Sequence, residues 1–191
     1  IWQNANYVGV LSHRWPEKYS QGKGADTSTI AEILSQRQGN KVVSLWHGLH
    51  LYRAKHIQQD DKIRPGTLAC FERITELFGW QNTVSPTDSY PGTRWNAWVA
   101  TPEVFEAYCE DLTKLMEFAE TDSKLKELIN QPAPYKQGVE RNGAEQLQKV
   151  FGQNAYTLHP FVGELFFAYW IYYQRKASKM FKTTELEPVK P

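Results

Sequence analysis

A chain of 191 residues with 41% hydrophobic and 23% charged residues is long enough to bury one sizeable core, and no repeat or low-complexity linker asks for a second domain. A formal charge of +1 excludes a general polyanion-binding coat while leaving room for a local basic cleft. The most apolar run, 161–173, is too short to span a bilayer and contains Glu164, which excludes an integral membrane protein.

The expected organisation is a single α/β domain over residues 1–176 and a flexible tail over 177–191. Seven Trp and ten Tyr raise the aromatic share to 14%, more rings than a core alone asks for, and such rings suit sugars, bases and partner surfaces. Cys70 and Cys109 each fall within a helical pattern and read as buried, reduced thiols, which points to the cytoplasm. No signal peptide is visible, and a chain that begins at Ile1 reads as one processed, trimmed or part of something longer.

In chain order, Tyr7-Val8-Gly9-Val10-Leu11-Ser12 reads as a buried strand that leaves the sheet at Ser12 to Lys18. Asp26 or Thr27 caps a helix through Gln38 with Ile30, Ile33 and Leu34 on one face, and Lys41 to Leu45 is a second strand. That order predicts a right-handed parallel βαβ unit, with the loop WHGLHLYRAKH (46–56) at a strand end where ligands collect. Arg64-Pro65-Gly66 opens a helix with Leu68, Phe71, Ile74, Thr75 and Phe78 inward, closed by Gly79. TRWNAWVA (93–100) reads as a third strand. Thr101 as cap and Pro102 as first residue open a helix with Val104, Phe105, Tyr108, Leu112, Leu115 and Met116 inward. From Asp122 to Gly152 the text predicts a short helix and then a polar excursion resembling a lid, before His159-Pro160 opens a helix that is apolar nearly all round.

His47, His50 and His56 lack the i, i+4 spacing of a helical zinc pair, so bonding to polar neighbours or substrate is favoured over a metal. The adjacent acids Asp60-Asp61 offer hard oxygen ligands for Mg²⁺ or Mn²⁺, or else a solvated face. Arg14 and Lys18, with Arg53, Lys55, Lys62 and Arg64, form two basic segments that fit a diphosphate or a solvated surface equally well. No P-loop, GxGxxG or GxSxG pattern occurs, so P-loop kinase, dinucleotide dehydrogenase and triad hydrolase chemistry have no support. Glu164, one turn into an apolar helix, must be paired or hydrogen bonded, or else it keeps its proton and becomes a candidate base. On the third strand Trp95 points one way and Arg94, Asn96 and Trp98 the other, so one set is available to stack on a sugar or base.

Taken together, NYVGVLSHRWPEKY, RWNAWVATPEVFEAYCEDL and HPFVGELFFAYWIYY resemble, in this order, the glycosyltransferase-like proteins of bacterial and phage glycan or nucleic-acid modification loci, and the resemblance covers most of the chain. It implies a GT-A-like α/β fold with a Rossmann-like mixed or mostly parallel sheet flanked by helices, a nucleotide-sugar donor, and a divalent metal, Mg²⁺ or Mn²⁺. The chain departs from the pattern in having no Asp-x-Asp at a strand end and Leu165 where an arginine is common.

The expected activity is transfer of a sugar from a nucleotide-diphosphate donor to a glycan or other hydroxyl acceptor, nucleic acid entering only as acceptor. Glu164 and His47 are the catalytic candidates. The substrate-binding candidates are Ser12, Arg14 and Lys18 at the first strand end, Trp46, His50 and Arg53 in the second loop, and Trp95, Asn96, Trp98 and His159. The rival expectations are a non-catalytic carbohydrate- or nucleic-acid-binding module and a protein-interaction domain.

Overall fold

The computed structural model describes residues 5–10, 31, 34–35, 42–44, 53–91, 98–133, 144–152 and 155–177. Six helices hold most of them: α1 (His56–Ile63), α2 (Thr67–Leu77), α3 (Pro102–Thr121), α4 (Ser123–Ile129), α5 (Ala144–Phe151) and α6 (His159–Lys176). The strands are two or three residues long: β1 (Val8–Val10), β2 (Val42–Ser44), β3 (Arg53–Ala54), β4 (Tyr90–Pro91), β5 (Trp98–Ala100), β6 (Pro132–Ala133) and β7 (Tyr156–Thr157).

All described strand pairs are antiparallel, which overturns the expected Rossmann-like, mostly parallel, GT-A-like α/β sheet. The described residues are mostly helical, with one three-stranded sheet and two two-stranded pairs among them. In the larger sheet β5 lies between β1 and β2, with Val8 and Val42 opposite Ala100, and Val10 and Ser44 opposite Trp98. The apolar runs did mark β1 and β2. The parallel βαβ unit assumed that consecutive strands are neighbours, a tendency that fails when a later strand inserts between them.

The chain divides into two compact units, each built from separated stretches. The first comprises the described residues of Ile1–Ala54, Tyr90–Thr113 and Phe167–Pro191, the second those of Lys55–Ser89 and Lys114–Phe166. In the first, the alternation along β5 buries Trp98 and Ala100. Trp98 stacks flat on Phe167, centroids 3.6 Å apart, and meets Tyr108 edge-on at 5.3 Å. Tyr90 stacks on Tyr172 at 4.8 Å, and the Trp170 indole N–H donates to Asp111 at 2.8 Å.

On α3, Val104, Tyr108 and Leu115 are buried, whereas Met116, expected inward, is 58% exposed. One residue turns the helix by ~100°, which carries Met116 past the edge of a narrow stripe. Thr101 accepts from the Phe105 N–H through its backbone carbonyl at 3.0 Å, but its Oγ1 is buried without a partner, so the side chain is not the cap expected. Helix α6 is buried on nearly every face from Phe161 to Gln174, as its composition predicted. No helix among the described residues is long and apolar enough to cross a membrane.

In the second unit, α1 and α2 are joined by side chains rather than by an apolar stripe. Asp61 Oδ1 accepts from the Gly66 N–H at 3.0 Å and the Leu68 N–H at 2.9 Å, which satisfies first-turn donors of α2. Gly66, at φ +102°, takes the left-handed turn that precedes α2. The face of α2 is as read from the sequence, with Phe71, Ile74 and Thr75 buried. Cys70 is fully buried beside them, and burial, with the Asp61 charge, pushes its thiol up to about 12. Phe78, Trp80, Phe118 and Phe166 form the aromatic cluster of this unit.

Helix α4 is tied to α2 by one carboxylate. Asp122 accepts from Arg73 Nε at 3.1 Å and Nη2 at 2.5 Å, and caps α4 by accepting from the Leu125 N–H at 2.8 Å. The Arg73 guanidinium, then the Leu125 N–H, hold the Asp122 carboxyl down at about 2. Because the folded value lies below the ordinary value of about 3.9, the linked stability is complete above that pH and is lost as pH falls through about 2. Asp122→Ala is expected to cost about 1 kcal/mol at neutral pH, the ordinary worth of an N-cap, and to flatten that acid limb, as read by urea melts across the range.

Candidate functional site

A pocket of about 760 Å³ opens in the second unit where β7 runs into α6. The pairing of Pro132 with Thr157 and Ala133 with Tyr156 fixes the approach of β7, and the Leu158 N–H donates to the Gln131 carbonyl at 3.1 Å. Leu158, fully buried, then starts α6 by accepting from the Phe161 and Val162 N–H groups at 3.0 and 2.9 Å. This delivers Tyr156, Thr157, His159 and Pro160 to one wall.

The remaining walls come from helix ends. Asn130 closes α4, its Nδ2 donating to the Lys126 carbonyl at 2.8 Å, while Gly152 ends α5 in the left-handed conformation, φ +69°. Gly163 lies one turn after His159 on the same face of α6 and presents bare backbone to the space. Among the described residues the lining therefore offers one aromatic ring, two hydroxyls, an amide and an exposed imidazole, and no Lys, Arg, Asp or Glu. Its volume lies within the range of small-molecule sites.

Of the residues expected to bind or react, His159 lines this pocket. Glu164 is half-buried on α6 but is not part of the lining; five positions from His159, it lies ~140° around the helix. Trp98 is core in the first unit, 1% exposed between Phe167 and Tyr108, rather than a stacking platform for a ligand. The backbone of Arg53 belongs to β3, opposite Pro91, and its side chain is outside the described residues. Ser12, Arg14, Lys18, Trp46, His47, His50, Trp95 and Asn96 also lie outside them, as do the excursion at 134–143 and the tail beyond Ala177. His56 is buried as the first residue of α1.

The Asp60-Asp61 pair does not fit Mg²⁺ or Mn²⁺. Asp60 binds Arg64 through Oδ1 and accepts from Thr67 Oγ1 at 3.2 Å through Oδ2, while Asp61 is held by two backbone N–H groups. Arg64 is likewise committed, with its guanidinium 3.9 Å above the Phe161 ring. Among the described residues no group of three His, Cys, Asp or Glu side chains is placed to hold a metal ion.

Sequence reasoning passed over Asn130, Gly152, Tyr156, Thr157 and Gly163. One signal for them is present in the text: a single glycine inside the apolar helical run HPFVGELFF, where a core helix has no evident use for it. No protein-family profile, curated protein or solved structure matches the chain.

Proposed function

We propose that the protein is a glycosyltransferase that moves a sugar from a nucleotide-diphosphate-sugar donor to a hydroxyl acceptor. The observation supporting this reading is the pocket at the start of α6, where the imidazole of the HPF segment, the hydroxyls and ring of β7 and the amide that closes α4 surround one space. In the reaction the acceptor oxygen bonds to the anomeric carbon as the carbon–phosphate-oxygen bond breaks. The nucleoside diphosphate leaves with the electron pair, and the acceptor proton passes to a base.

His159, whose exposed imidazole lines the pocket, is assigned to the acceptor hydroxyl. Arg14, Lys18 and Arg53 are the cations assigned to the departing diphosphate, by the match of their charge to it. UDP- and GDP-sugars incubated with saccharide acceptors, with and without Mn²⁺, are expected to release nucleoside diphosphate in an acceptor-dependent way. His159→Ala and Arg14→Ala are each expected to lower that release by at least about tenfold with an unchanged melting temperature. No release from any donor, or full release by both variants, would sink the assignment.

A second reading, a carbohydrate-binding module, is favoured by the described lining, whose side chains are hydroxyls, an amide and an imidazole beside one ring, with no carboxylate among them. Saccharide binding with no affinity for UDP or GDP would support it over transfer.

A further inference from the structure

Gly163 occupies the interior of an 18-residue helix at a position where packing has no need of a glycine. It is not among the glycines with positive φ, and a Cβ built on it meets nothing within 4 Å among the described residues. Glycine in a helix interior is less stable than alanine because it gives up more backbone freedom and leaves the backbone uncovered. The bare backbone faces the pocket of Tyr156, Thr157, Asn130 and His159.

The chemistry of that lining selects among the parts of a transfer reaction. A nucleotide diphosphate calls for guanidinium, ammonium or a metal ion, and among the described residues of the lining none supplies a fixed cation. A neutral sugar ring calls for groups that both donate and accept around its edge, and for a flat surface against its C–H face. Hydroxyls, an amide and an imidazole provide the first. A tyrosine ring and exposed helix backbone provide the second.

We infer that this pocket is the subsite for a neutral sugar ring of the acceptor, and that Gly163 determines the size of the ring it admits. The word acceptor rests on the glycosyl-transfer reading; recognition of a neutral ring by this pocket does not.

The test uses the full chain with four methyl glycosides, those of glucose, galactose, mannose and N-acetylglucosamine, followed by ligand-observed NMR, and UDP as the anionic control. At least one glycoside is expected to bind the wild type. Its Kd is expected to rise about tenfold in Gly163→Leu and about threefold in Gly163→Ala, as side-chain volume enters the space. UDP behaviour should be unchanged, and both variants should melt at or above the wild-type temperature; if the leucine variant melts lower, the alanine variant decides.

Binding of no glycoside by the wild type, or undiminished binding by the variants, overturns the inference. Glycoside binding that Gly163→Leu blocks, in a protein that turns over no sugar nucleotide, keeps the subsite and removes the transferase. Turnover whose acceptor KM is the same in Gly163→Leu keeps the transferase and removes the subsite.

Discussion

Trp98→Ala is expected to destabilise the protein by about 3–5 kcal/mol, the largest effect of any single substitution considered for this chain. The indole is 1% exposed, lies 3.6 Å from Phe167 in a near-parallel stack, and is walled by Tyr108 and Phe105 at 5.3 and 5.9 Å. Those neighbours sit on long helices that will not collapse into the space, so a cavity cost adds to the lost burial. For a chain of this size the melting temperature should fall by roughly 10 °C, at about 2–4 °C per kcal/mol. Trp98→Phe is the control that separates packing from polarity. Nε1 is buried without a hydrogen-bond partner, so replacing the indole with a benzene ring loses volume but no bond. If Trp98→Ala instead left stability intact and weakened sugar or nucleotide binding, the core assignment would fall and the ligand role would return.

Gly9→Ala is expected to cost about 2–3 kcal/mol, although the residue is exposed and alanine for glycine often stabilises. Gly9 pairs with Val99, and a Cβ on it would fall onto the Trp98 carbonyl oxygen and stand 2.7 Å from Val99 Cα. Both obstacles are backbone of the central strand, held on its other edge by β2. The strand must therefore move as a whole, and β1 is the element free to leave. Amide exchange should show β1 losing protection while α2, in the other unit, keeps its own. Unchanged protection at Val8 and Val10 would mean that the close approach of β1 to β5 is absent in solution.

What could be read in advance differed by the kind of force involved. Helix α2 was legible because Phe71, Ile74 and Thr75 fall on a 3.6-residue period between Gly66 and Gly79. Helix α6 was legible because its text is apolar nearly all round. Helix α1 was not, since HIQQDDKI buries only His56 and Ile57 and is stabilised at its far end by carboxylate bonds from Asp60 and Asp61 into the following turn. Bonds of that sort leave no periodicity. The sheet failed for a related reason: three-residue apolar strands announce burial but say nothing of which strand lies beside which, and β5 (Trp98–Ala100), far beyond β2 (Val42–Ser44) in the chain, enters between β1 and β2. The pocket was half legible. His159 came from the HPF segment, whereas Asn130, Gly152 and Thr157 reach it through helix ends and a strand pair that no local pattern declares.

The two cysteines fall one to each unit, Cys109 in the first and Cys70 in the second. With its thiol at about 12 and no exposed surface, Cys70 is thiolate in only about one molecule in ten thousand at pH 8, and no reagent reaches it until the surrounding helices part. Cys109, half-buried and raised mainly by burial and then by the Glu106 charge, is accessible without such an event. The chain thus carries an internal clock for its own opening. Alkylation at Cys70 against denaturant times the release of the second unit, and Cys109, reacting in the folded chain, serves as the internal control for the reagent.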